Sequence, residues 1–218
     1  MKGLILKDLY NLKAYAKQYI LTLLMFAFIG FVIGSSAYSQ GLVTLYLCMM
    51  PVTAFSLDES SHWDRYALTM PIGRKDLVAA KYVMVLITIG SAFILSGIMT
   101  VVIRFRMGES TDMQGWMADG LSLAIILIYG LLFCSVLLPF SFKFGAERAR
   151  MIIILIVLIP VAAIFLISHL VDLDRIDLGA LLAGINPLFI LAAVVLVTFI
   201  LFGISYMISC RIYEKKEF

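Results

Sequence analysis

Six apolar runs, each long enough to cross a bilayer, dominate this chain. They fall at Tyr19–Ser36, Gln40–Leu57, Tyr82–Ile103, Gly120–Phe142, Met151–Leu170 and Leu188–Cys210. A helix needs about 20 mostly apolar residues to cross the hydrocarbon core. Within that core the backbone must satisfy its own hydrogen bonds, so each run is expected to be helical. The residues are 63% hydrophobic, against about 45–50% in soluble domains. The six runs leave little of the 218 residues for a second folded unit. The sequence therefore predicts an all-α membrane protein, a single domain over 1–218 with six transmembrane helices.

The basic residues orient it. One side carries Lys2, Lys7, Lys13, Lys17, Arg65, Arg74, Lys75, Lys81, Lys143, Arg148, Arg150, Arg211, Lys215 and Lys216. Only Arg104, Arg106 and Arg175 fall on the other. The positive-inside rule makes the first side cytoplasmic, with both termini inside and the chain multi-pass in the cell membrane. The net charge of +3 is then a topological signal, and no basic run with interleaved aromatics points to nucleic acid. Cys48, Cys134 and Cys210 all lie within the runs, so no disulfide framework is expected. His62 and His169 sit in different loops on opposite faces, so no metal site is expected. Ser35-Ser36-Ala37 resembles a signal-peptide cleavage site, but the long arm before it carries Asp8 and favours a retained first span.

Three segments outside the runs have their own character. In the arm 1–17 and just beyond it, Lys7, Asp8, Asn11, Lys17 and Gln18 are expected on the wet face of an interfacial helix, with Ile5, Leu6, Leu9, Leu12, Tyr15 and Ala16 on the other. The outer loop Arg104–Asp119 holds Glu109, Asp112 and Asp119 and is expected to be a solvated connector. The outer segment 171–187 is polar, then apolar but too short to cross. It is either re-entrant or interfacial, or the early start of a last helix kinked at Pro187. Gly30 and Gly34 form a GxxxG pattern that would let another helix approach closely, and Ala37–Ser39 is expected to be the turn of a hairpin. Pro139 and Pro160 are expected to bend their spans.

No Asp, Glu, Lys or Arg lies deep in any run. Lys81 and Lys143 sit at run ends, where they are expected to snorkel. Ion-coupled carriers keep ionisable groups at depth, and intramembrane hydrolases need a nucleophile with a base. Neither requirement is met, and there is no P-loop. The chain is expected not to be an enzyme, and energy for any work must come from another chain.

The loop 58–77 is built differently from a simple anchor. Through Lys81 it balances Arg65, Arg74, Lys75 and Lys81 against Asp58, Glu59, Asp64 and Asp76. Ser60 or Ser61 is expected to cap a short helix. Trp63, Tyr66, Ala67 and Met70 then share a face, and Pro71 and Gly73 stop it. An aromatic knob between charges of both signs suits a groove on a soluble partner.

The order Asp-Glu, Trp-Asp-Arg-Tyr, Met-Pro-Ile-Gly-Arg-Lys-Asp-Leu-Val and Lys-Tyr over 58–82 resembles the first cytoplasmic loop of type-2 ABC exporter permeases. Residues 1–17 resemble their N-terminal elbow helix. The nearest branch is that of small Gram-positive permeases exporting amphipathic peptides such as phenol-soluble modulins. That resemblance implies an ATP-driven export subunit working as a pair, identical or not, each copy docked on a separate ATPase that carries the ATP and Mg. No cofactor is expected on this chain itself. The coupling-helix contacts would be Asp58, Glu59, Trp63, Asp64, Arg65, Tyr66 and Met70, with Glu147 and Arg148 as a second contact. Phe26, Phe28, Phe31, Tyr46, Met49 and Met50 are candidates to line a path for amphipathic or hydrophobic cargo, since Met and aromatic surfaces re-pack readily. The alternative is a membrane sensor or immunity subunit that binds peptides without moving them.

Overall fold

A computed structural model describes residues 2–67, 69, 73–108, 113–149, 151, 158, 162 and 187–215. Among them the fold is all-helical: α1 (Lys2–Lys13), α2 (Ala16–Ile33), α3 (Ser36–Cys48), α4 (Met50–Ser60), α5 (Trp63–Ala67), α6 (Arg74–Met107), α7 (Met113–Phe144) and α8 (Pro187–Glu214). Among the described residues five stretches are long and apolar enough to cross a membrane: Ala16–Ile33, Ser36–Ser60, Arg74–Met107, Met113–Phe144 and Leu191–Glu214. Apart from residues 151, 158 and 162, the expected span Met151–Leu170 and the outer segment up to residue 186 lie outside the described residues.

Two helices overrun their apolar cores. α6 has 34 residues, about 50 Å at 1.5 Å per residue, so it projects beyond a 30 Å hydrocarbon layer. Asp76 lies in its first turn, its carboxylate accepting from the Gly73 N–H at 3.4 Å and complementing the helix dipole. Arg104 and Arg106 close it. α7 starts at Met113, so Arg104 and Asp119 are helical rather than parts of a solvated connector. Glu109 and Asp112 lie outside the described residues.

The second span is two helices. α3 ends at Cys48 and α4 begins at Met50, with Pro51 in its first turn. Proline has no N–H to continue the ladder and its ring crowds the preceding turn. The break falls inside the single expected run Gln40–Leu57, and Pro51 is its visible signal in the sequence.

The glycines of the first span have separate jobs. A Cβ on Gly30 would fall 2.6 Å from Ser39 Cβ and 3.2 Å from Ser39 Cα, so Gly30 is where α3 comes closest. Gly34 is instead the left-handed C-cap of α2, at φ 74°, with its N–H on the Gly30 carbonyl at 3.0 Å. The hairpin therefore turns at Gly34–Ser35, ahead of the expected Ala37–Ser39. Gly30→Ala is expected to cost about 1–3 kcal/mol through overpacking, read as a lower unfolding midpoint in detergent. Gly41→Ala is its control, since nothing lies within 4 Å of the added methyl.

α3 packs between α6 and α7, and α8 packs on α7 and α6. Their shared core holds Cys48, Val52, Val85, Ile89, Phe133, Leu137 and Tyr213. Polar contacts give the directions. The Tyr82 hydroxyl meets the Ser205 and Ser209 hydroxyls at 2.7 and 2.8 Å, and Ser205 donates to the Ser135 carbonyl. Phe142 meets Tyr213 edge-on at 5.5 Å, and the Arg74 guanidinium donates to the Glu214 carbonyl at 2.5 Å. α7 and α8 thus run parallel and α6 runs opposite. The same end of the bundle gathers the starts of α1 and α6 and the ends of α4, α7 and α8.

Candidate functional site

At that end four charged side chains are buried against one another. Leu4, Asp8 and Leu12 recur every four residues and form the inward stripe of α1. Asp58 is near the end of α4, and Lys81 is two turns into α6. Lys7 Nζ lies 2.9 Å from Asp8 Oδ1 and 2.5 Å from Asp58 Oδ1. Lys81 Nζ lies 2.9 Å from Asp8 Oδ2 and 2.6 Å from Asp58 Oδ2. Each cation touches both anions, so the square is neutral. Its side chains are only 3–19% exposed. Removing such charges from water is costly, and the alternating contacts are what offset that cost.

Aromatic rings wall the square. Lys7 Nζ stands 4.5 Å from the centre of the Trp63 ring, and Lys81 Nζ stands 5.1 Å from that of Phe55. Phe55 meets Phe142 edge-on at 4.7 Å. A cavity of about 50 Å³ opens among these groups, enough for a few waters at about 10–15 Å³ each. Beside it, Glu59 Oε2 accepts the Ala146 N–H at 2.8 Å. This contact ties the end of α4 to the segment that follows α7.

The coupling candidates separate into inward and outward groups. Asp58 is 5% exposed and is committed to the square. Trp63 is half-buried against the core, whereas Tyr66 is 58% exposed, with their rings 5.5 Å apart. Trp63 is therefore the anchor of α5, and Tyr66 is its open face. Asp64 and Arg65 belong to α5, and Met70 lies outside the described residues. Glu147 and Arg148 are exposed next to the Glu59 contact. The Ser60 and Ser61 hydroxyls do not cap α5. They bond back to the Leu57 carbonyl at 3.0 and 2.8 Å and close α4, while His62 makes the joint at φ 51°.

The path candidates do not form one surface. Phe26 and Tyr46 meet edge-on at 5.5 Å, and Tyr46 and Met50 pack on Leu12, Tyr19, Ala54 and Met84. Met49 packs on the main core. Phe28 is 67% exposed, and Phe31 lies under the Arg106 guanidinium at 4.1 Å, at the opposite end.

Three charged residues depart from expectation, and the first is Lys7, expected on the wet face of α1 but only 19% exposed and held in the square. Asp8 is 2% exposed and is not on a wet face of α1. Lys81 is 7% exposed and does not snorkel, because two carboxylates hold it inside. The signal for Asp8 was present: it falls on the Leu4–Leu12 stripe. Nothing in the sequence joined it to Lys81, 73 residues away.

The opposite end has its own polar knot. Arg104 Nε pairs with Asp119 Oδ2, and Asp119 Oδ1 accepts the Ser36 hydroxyl at 2.5 Å. Gln40 Nε2 donates to Thr100 Oγ1 at 2.8 Å, and Gln40 Oε1 accepts the Ser122 hydroxyl at 2.7 Å. The Trp116 ring lies 5.2 Å from Arg104 Cζ. This knot joins α3, α6 and α7, so α6 is clamped near both ends. Among the described residues no group of three or more His, Cys, Asp or Glu is placed to hold a metal ion.

Residues 3–214 match the family described as ABC-2 family transporter protein. No curated protein and no solved structure matches the chain significantly.

Proposed function

The chain belongs to the ABC-2 family of transporter proteins, a membrane transport component that is not itself catalytic, and from that premise we propose that it exports amphipathic or hydrophobic peptides, powered by a separate ATPase subunit. α5 and the neighbouring Glu147–Arg148 face are the docking surface, placed in the cytoplasm together with both termini. ATP and Mg belong to the partner, and two permease copies enclose the cargo path. Supporting this orientation, fourteen of the 17 basic residues fall on one side of the span pattern. The parallel directions of α7 and α8 also fit six crossings, since joining them takes an odd number of passages.

The observation that carries the reading is the connection behind α5. Trp63 holds α5 against Lys7, and Lys7 and Lys81 tie Asp58 to α1 and α6. A push on α5 from a partner thus reaches three helices together. Packed interfaces of this kind respond by switching between discrete arrangements. The uncharged depths of the spans suit an apolar cargo, and peptide export itself follows from the sequence resemblance.

The test is a pull-down from native membranes with ATPase activity measured in the eluate. Wild type is expected to bring down an ATPase. Tyr66→Ala, which removes an exposed ring, is expected to lower the yield about tenfold, the effect of about 1.4 kcal/mol at an interface. Phe105→Ala, exposed at the opposite end, is expected to change nothing. An eluate without ATPase under gentle detergent would end the ATP-driven reading in favour of a peptide-binding sensor or immunity subunit.

A further inference from the structure

A groove separates the elbow helix from the first span. It is lined on its apolar side by Leu6, Leu9, Ile20 and Leu23, with Tyr10 and Lys13 also on its walls. Its volume is about 520 Å³, within the roughly 300–1,000 Å³ of small-molecule sites. It opens sideways where α1 turns into α2, at the end of a membrane-spanning helix. Leu6, Tyr10 and Ile20 are each more than half exposed.

The charge beside this groove is one-sided. Lys13 closes α1, and Lys17, four residues on, lies in the first turn of α2, which contains no acidic residue. Asp8, the acid of α1, is turned away into the buried square. Among the described residues neither Lys13 nor Lys17 forms an ion pair with a carboxylate. Lys13 lies 5.8 Å from the Tyr10 ring, and Tyr10 and Tyr15 are exposed, a residue type enriched where a membrane meets water.

We propose that this groove binds one anionic phospholipid, with an acyl chain along Leu6, Leu9 and Leu23 and the headgroup phosphate on Lys13 and Lys17. The apolar wall matches the chain, and the two cations match the phosphate. A second copy is a poorer occupant, because a two-fold contact places the same patch on both sides and would bring Lys13 and Lys17 against their own counterparts. The bound lipid would brace the hinge between α1 and α2, and thereby the side of the charged square that α1 supplies. This site is independent of what the permease moves.

The test uses the full chain in phosphatidylcholine nanodiscs doped with a phosphatidylglycerol or a phosphatidylcholine bearing a photoactivatable acyl chain. Cross-linked residues are mapped by mass spectrometry. The phosphatidylglycerol probe is expected to label the α1 and α2 wall about fivefold or more above the phosphatidylcholine probe. Lys13→Gln with Lys17→Gln is expected to bring the two probes level. Both positions are exposed, so an unchanged unfolding midpoint would show that the fold is intact. Lys215→Gln, an exposed base at the same end, is expected to leave the preference as it was. Equal labelling by both probes in wild type would overturn the proposal and mark the groove as ordinary lipid contact. Persistence of the preference in the double variant would overturn it too. Chain-to-chain cross-links, or exclusion of lipid by an amphipathic peptide, would assign the groove to those occupants.

Discussion

Lys81→Met is expected to destabilise the purified chain by about 3–5 kcal/mol, the cost of breaking a buried ion pair from one side. The substitution keeps an unbranched side chain, one atom shorter and without the charged tip that stands over Phe55. It leaves Asp8 and Asp58, with side chains 3% and 7% exposed, sharing the single cation of Lys7. The informative companion is Lys81→Met with Asp58→Leu, which removes one charge of each sign and restores neutrality. Because these two residues touch, their effects will not add. The double variant is expected to be more stable than Lys81→Met alone, by at least about 1 kcal/mol on the scale of such couplings. Denaturant or thermal unfolding in detergent reads both quantities. If the single variant loses less than about 1 kcal/mol, or the pair simply adds, the square is not the joint described here.

Asp119→Ala is expected to have an effect of similar size at the opposite end. It removes the carboxylate paired with Arg104, whose side chain is 8% exposed, and the acceptor of the Ser36 hydroxyl. α3, α6 and α7 then share only the Gln40 contacts to Thr100 and Ser122 among the polar contacts described above. Ser39, fully buried on α3 against Gly30, is a convenient reporter. In a Ser39→Cys background, thiol labelling is expected to rise at least tenfold when Asp119 is replaced, the change produced by about 1.4 kcal/mol of local opening. Lys81→Met should leave that rate near its starting value. The two clamps lie about 35 Å apart along α6, too far to share partners, so their stability effects should add. Equal labelling in both variants would mean that the bundle opens as one unit.

The two clamps give α6 a mechanical role. It is the one described helix that is ion-paired near both ends, to α1 and α4 at one and to α7 at the other. On the proposed function, motion delivered at α5 would enter through Asp58 and be resisted or released at Asp119. α2 is held more lightly. Tyr19 and Gly30 are its buried residues, so among the described spans it is one of the two least buried.

Much of this protein was legible in its residues. Long uncharged runs must become helices, because lipid offers the backbone no partners. The arm, the distinctive loop 58–77 and the asymmetry of the basic residues were visible for the same local reason: each is a property of a short stretch of chain. The sequence by itself therefore determined that this is a helical membrane protein, where most of its helices lie, and that ionisable groups stay out of their depths. It did not determine which faces meet. Only the tertiary structure placed Asp8, Asp58 and Lys81 together, turned Trp63 inward and Tyr66 outward, and drew Arg104 and Asp119 out of an apparent loop into a buried pair. Those outcomes depend on contacts between residues tens of positions apart. A buried charge is stable only when its partner arrives from another helix, and no local pattern records that arrival.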